Sequence, residues 1–215
     1  MNSRGLIQCD NLRSQLGDVP APGLYVLNVN STHFVVAELV LLKALLGHGN
    51  PGLFVSVDRP HQYIVHLLKM HGIAHEGLRF IDTVSRFSPG EANRREGIGL
   101  IKNSSHIDEL PVALRDCSSV PGGIDVSQLR FAIIDNVSIL LMYNSHRAVE
   151  GFLRDFTQLL TRNAAVVLVI NRERYSDLYD TVLSLGAVEL GLESEQEGTN
   201  GAVQVTEGLN SRRGN

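Results

Sequence analysis

Three stretches of this chain carry residues whose types and spacing could do chemistry: the polar run Asn28-Val29-Asn30-Ser31-Thr32-His33-Phe34-Val35, the pair Asp58-Arg59, and Asp135 after the apolar Phe131-Ala132-Ile133-Ile134. The first follows an apolar strand pattern and precedes the apolar run Phe34 to Leu46, the strand, loop and helix layout of a phosphate-binding loop. Such a loop works as G-x-x-x-x-G-K-[ST], with glycines admitting phosphate to backbone donors, lysine neutralising it and the hydroxyl holding magnesium. On that spacing Asn28 and His33 stand at the glycines, Phe34 at the lysine and Val35 at the hydroxyl. The layout is present without its chemistry. Asn30, Ser31, Thr32 and the backbone donors of a helix N-terminus are what remain to meet an anion.

Asp135 would sit at the carboxyl edge of a parallel sheet, where α/β ligands bind, although a carboxylate there also serves as a helix cap. Four of the eight histidines, His61, His66, His71 and His75, lie close in sequence. Gly72 separates His71 from His75, and His61 and His66 point in different directions on a helix, so neither pair converges on a metal ion. They read as solvated helix-face residues, and no metal site is assigned. Cys9 and Cys117 have neither metal-ligand spacing nor a nucleophile context, and no serine lies in G-x-S-x-G. The clusters Arg94-Arg95, Arg172-Glu173-Arg174 and Arg212-Arg213 read as ordinary solvated surface. No catalytic residue is assigned.

The elements that must position these residues are legible as apolar runs. Leu24 to Val29, Leu53 to Val57, Leu78 to Ile81, Phe131 to Ile134 and Ala165 to Ile170 are continuous rather than alternating, as in strands covered on both faces. Helical patterns fall between them at Phe34 to Leu46, Pro60 to His71, Asp108 to Asp116, Arg147 to Arg162 and Tyr175 to Leu185. Alternating strand and helix predicts an α/β fold with a mostly parallel twisted sheet and helices on both faces. Residues 85–105, polar and glycine-containing, read as a flexible loop. Ala187 to Leu190 and Ala202 to Val205 read as a C-terminal antiparallel hairpin, with 209–215 a disordered tail.

The chain has 215 residues, 43% hydrophobic and 20% charged, with net charge -4. This suits one globular domain over 1–208 and gives no global drive toward nucleic acid. No apolar run reaches the roughly 20 residues of a spanning helix, and the N-terminus leads into no signal-peptide core. A reduced cytoplasmic setting without membrane contact is expected.

The order of these features resembles the RecA superfamily, and within it the KaiC-like and RadA-like ATPases of archaea. Leu16-Gly17-Asp18-Val19-Pro20-Ala21-Pro22-Gly23 is similar to that family's L-G-G-G-I-P-x-G; Pro51-Gly52-Leu53-Phe54-Val55-Ser56-Val57-Asp58-Arg59-Pro60 is similar to its P-G-L-Y-V-S-L-E-E-P. Phe131-Ala132-Ile133-Ile134-Asp135-Asn136 resembles its Walker B strand. Phe80-Ile81-Asp82-Thr83-Val84-Ser85 and the run from Ile134 to Asn144 resemble archaeal KaiC-like proteins whose phosphate loop has decayed.

The resemblance implies a RecA-like fold and a nucleotide site at Asn28, Asn30, Ser31, Thr32, His33, Phe34, Val35, Asp58 and Asp135. In the family Asp135's counterpart faces magnesium through water and the acidic pair positions the attacking water; here that pair is Asp58-Arg59. The K-x-R pair that reaches a neighbouring subunit's nucleotide aligns with Val205 and Glu207. The expectation is a degenerate site and a pseudo-ATPase, a non-catalytic RecA-fold protein without cofactor that acts in regulation or signalling by self-association or with a protein partner. Two alternatives stand beside it. One is an ATPase binding ATP and magnesium through a divergent loop; the other is a nucleic-acid-binding recombinase paralogue or a ring subunit like the Elongator accessory proteins.

Overall fold

The computed structural model describes residues 3–30, 32–84, 98–100, 107, 110–111, 114 and 125–192. Continuous apolar runs become strands with no wet face. In β2 (Gly52–Ser56), β5 (Phe131–Asp135) and β6 (Ala165–Ile170) every residue is buried. With β1 (Gly23–Asn28), β3 (Leu78–Asp82), β4 (Ile98–Leu100) and β7 (Val188–Leu190) they form a sheet in the order β4-β3-β2-β5-β6-β1-β7. All its pairings among the described residues are parallel.

Because side chains alternate across a strand, neighbours such as Val26 and Leu27, or Ile134 and Ile133, feed two separate cores. One face is covered by α1 (Ser3–Leu16), α2 (Phe34–Leu46) and α3 (His61–Met70), through Leu12, Leu41, Ile64 and Leu68 on Leu27, Phe54 and Val167. The other is covered by α4 (His146–Leu160), α5 (Ser176–Ser184) and a 3-10 helix (Val137–Met142). The α/β architecture with helices on both faces is therefore the one the strand and helix patterns predict.

Local chemistry sets several boundaries. Ser145 accepts from the Ala148 N–H and starts α4, whose buried stripe runs Val149, Phe152, Leu153, Phe156, Leu160. Gly72 takes φ +62 and ends α3, a conformation glycine adopts without steric cost. Pro60 is the N-cap of α3, one residue outside the helix rather than within its first turn.

Three features depart from the expected elements. The helix α1 was not among them: it contributes few apolar residues, and Cys9, Leu12 and Leu16 are buried against α2 while Arg13 donates to the carbonyls of Lys43 and Ala44 (3.4 and 3.5 Å). Inside the stretch expected as loop, Ile98–Leu100 forms the strand β4 beside β3. The first arm of the expected hairpin is β7, parallel to β1, while its second arm at 202–205, Val205 and Glu207 and the tail 209–215 lie outside the described residues. Most of the helix expected at Asp108 to Asp116 also lies outside them; Leu110 and Leu114 are buried in the core. Among the described residues no helix is long and apolar enough to cross a membrane.

Between β2 and β5 the buried Phe131 ring lies over its registered partner Gly52, where a Cβ would meet Phe131 Cζ at 2.0 Å. Gly52→Ala is expected to lower stability by about 1–3 kcal/mol through overpacking. Adding Phe131→Leu should recover part of that loss, so a urea-denaturation double-mutant cycle would show coupling rather than additive losses.

Candidate functional site

The strands β3, β2 and β5 end in register, Ser56 facing Asp82 on one side and Asp135 on the other. Asp82, Ser56 and Asp135 are each 0% exposed. Two carboxylates buried at one sheet edge need partners, since an uncompensated buried charge is strongly unfavourable. The turn that leaves β2 for α3 supplies them. Arg59 Nη2 lies 2.9 Å from Asp135 Oδ2 and 2.5 Å from Oε1 of Glu38, itself buried in α2. His61 gives Asp82 Oδ2 its backbone N–H at 2.8 Å and its ring Nδ1 at 2.6 Å.

The turn is held in place by the strand it covers. The Ser56 hydroxyl donates to the Arg59 carbonyl, and Thr83 N and Oγ1 donate to the Ser56 carbonyl at 3.0 and 3.1 Å. The Arg59 guanidinium lies 5.6 Å from the Tyr63 ring centroid. Beyond Asp135, Asn136 takes φ +55, which asparagine tolerates, and turns the chain into the 3-10 helix.

Burial pushes the Glu38 carboxyl well above the usual carboxylate range, and the neighbouring Asp135 carboxyl pushes the same way; Arg59 opposes them. For Arg59, burial works against the charge, but Glu38 and Asp135 outweigh it, so the guanidinium holds its proton more tightly than usual. Three buried polar atoms of this cluster, Glu38 Oε2, Asp135 Oδ1 and Arg59 Nε, have no hydrogen-bond partner in the chain, and neither does Ser138 Oγ in the 3-10 helix.

The phosphate-loop positions form a separate, self-satisfied turn. Asn30 Oδ1 accepts from the Thr32 N–H and hydroxyl at 3.2 and 3.1 Å, an Asx turn, and the Asn30 carbonyl accepts from His33 N–H at 2.9 Å. Asn28 Oδ1 accepts from Arg172 N–H at 3.1 Å, and Asn30 Nδ2 donates to Glu173 at 3.4 Å. Thr32 and His33 are exposed, whereas Phe34 and Val35 are half-buried against the core beneath α2. Ser31 lies outside the described residues.

Of the residues singled out by sequence, Asp135 enters the buried cluster, while Asp58, next to Arg59, is exposed. His61 is a correction: it is 4% exposed and bound to Asp82, because the start of α3 lies over the end of β3, whereas His66 and His71 are exposed. Among the described residues there is no group of three or more His, Cys, Asp or Glu that could hold a metal ion. The two residues sequence reasoning missed are Glu38, which lies inside the apolar run Phe34 to Leu46, and Arg59, which stands at the second position of the family's acidic pair. The available signal was Glu38 itself: an acid between Ala37 and Leu39 in a largely apolar helix is a candidate for burial, and a buried acid requires a partner.

Among solved structures, a KaiC-like protein from the hyperthermophilic archaeon Pyrococcus horikoshii OT3 is similar, with 14% identity, a TM-score of 0.44 and coverage of 70% of this chain and 63% of that one. The chain thus spans less than two thirds of that protein's length. No protein-family model matches this chain, and no curated protein matches it.

Arg59→Ala removes the cation from two buried carboxyl groups and is expected to cost about 3–5 kcal/mol near neutral pH. Asp58→Ala, on the same turn but in water, should stay within about 0.5 kcal/mol of the parent, and urea unfolding of both variants checks the contrast.

Proposed function

We propose that this chain is a non-catalytic protein of RecA-like, KaiC-like type that has lost ATP hydrolysis and acts in regulation or signalling by association with itself or with another protein. The observation that carries the first half is the Arg59 guanidinium fixed between Glu38 and Asp135. Phosphoryl transfer relies on acids that hold a metal ion and on cations placed around the transferred group. Here the acid at the end of β5 is already engaged by a cation of the chain itself, and displacing that cation would leave two carboxyl groups buried without one. Phe34 against the core and an Asx turn that consumes the Thr32 N–H add to this reading, because both subtract from what a phosphate would meet.

The association half rests on the arrangement of strand and helix motifs that resembles ring-forming proteins, in which inactive members serve as partners. Isothermal calorimetry with Mg-ATP tests the first half. No heat at millimolar nucleotide is the expected result, and micromolar binding that disappears in Asp135→Ala would overturn it in favour of a divergent ATPase. Light scattering on the same sample tests self-association: a mass at a multiple of 23.5 kDa supports it, and a 23.5 kDa particle removes it.

A further inference from the structure

The buried Glu38 and Asp135 carboxyl groups both accept from the same atom, Arg59 Nη2, at 2.5 and 2.9 Å. Two carboxyl groups brought to one donor atom repel each other when both are ionised, and a proton on the pair removes that repulsion. Each group also keeps one buried oxygen that receives no donor from the chain, Oε2 of Glu38 and Oδ1 of Asp135. With both acids ionised the cluster would carry two negative charges against one positive charge, in a place with almost no access to water. We propose that a single proton is held between Glu38 and Asp135 beneath Arg59, and that its loss at rising pH loosens the turn from Val57 to His61, making this turn a proton-sensitive latch on the carboxyl edge of the sheet.

The groups in contact around the proton come from Glu38 of α2, Asp135 of β5 and Arg59 of the turn, with the Tyr63 ring of α3 against the guanidinium and the Ser56 hydroxyl of β2 on the Arg59 carbonyl. The other buried acid and base, Asp82 and His61, are hydrogen-bonded to each other, and Asp58 is exposed. Only Arg59 brings a positive charge into direct contact with the two acids among the described residues.

The direction of the pH response follows from linkage. Glu38 binds its proton more tightly in the folded chain than in the unfolded one, so its contribution is complete below the ordinary carboxyl range and is lost as pH rises through its raised folded value. Once the proton leaves, one uncompensated charge remains among buried atoms, and the element free to respond is the turn carrying Arg59, whose side chain is 18% exposed. The latch does not depend on whether the chain binds nucleotide.

The test is urea denaturation of the full chain between about pH 5 and pH 9, comparing the parent with Glu38→Gln, whose amide supplies a permanent N–H toward Asp135 and a carbonyl toward Arg59. The parent's midpoint should fall as pH rises while that of Glu38→Gln stays level. Parallel profiles would overturn the proposal. Should Glu38→Gln fail to fold, carbon-13 NMR of the parent's glutamate carboxyl groups decides. One signal still protonated at about pH 6, where an ordinary glutamate is ionised, supports the shared proton, and titration of every glutamate in the ordinary range removes it.

Discussion

Burying Asp82 and Asp135 on either side of Ser56 is the constraint around which this structure is arranged. Neither strand could end in a carboxylate at 0% exposure without an opposing group, because desolvation of a lone charge exceeds what a small domain's stability can absorb. One turn meets both needs. Leaving β2 between the two acids, it sends Arg59 to one side and His61 to the other, and Ser56 anchors it by donating to the Arg59 carbonyl. Glu38 extends the same network into α2, so a helix, a turn and the ends of three strands share one set of polar contacts.

That network contrasts with the rest of the molecule. Elsewhere the sheet is held by two apolar cores, in which Leu27, Phe54 and Val167 on one face and Val26, Val55 and Leu168 on the other exclude polar atoms. A buried ion triad contributes less net stability than apolar side chains of the same volume, yet removing one of its members is costly. Its physical effect is to fix where Arg59 points. The Asx turn around Asn30 is independent of it, lies on the exposed side of the α2 N-terminus, and is satisfied by its own side chains and by the Arg172 to Arg174 segment.

How much of this was legible depended on whether one segment or several determined the outcome. The runs at Ala165 to Ile170 and Phe131 to Ile134 read as strands because strands buried on both faces are apolar throughout, and α4 read as a helix because its buried stripe recurs at helical spacing with charges between. α1 escaped because Cys9, Leu12 and Leu16 are sparse among polar residues and the helix gains its stability from α2. β4 escaped because three residues in a glycine-containing stretch show no periodicity, and pairing with β3 is what makes them a strand. In the site, Asp135 was visible as the acid ending an apolar strand, but Arg59 looked like a loss and His61 like a solvated residue. Both depend on where a turn of five residues lies relative to strands distant in sequence.

The sequence by itself determined the layered α/β plan and the absence of a conventional phosphate loop between Asn28 and Val35, since hydrophobic pattern and residue type act locally. Only the tertiary structure decided what meets those residues. Glu38 and Arg59 are 21 positions apart, and Arg59 and Asp135 are 76 apart, so their encounter depends on strand order rather than on any motif. With β2 seated between β3 and β5, the side chain at the second position of the resembled acidic pair becomes the cation that two buried carboxyl groups require.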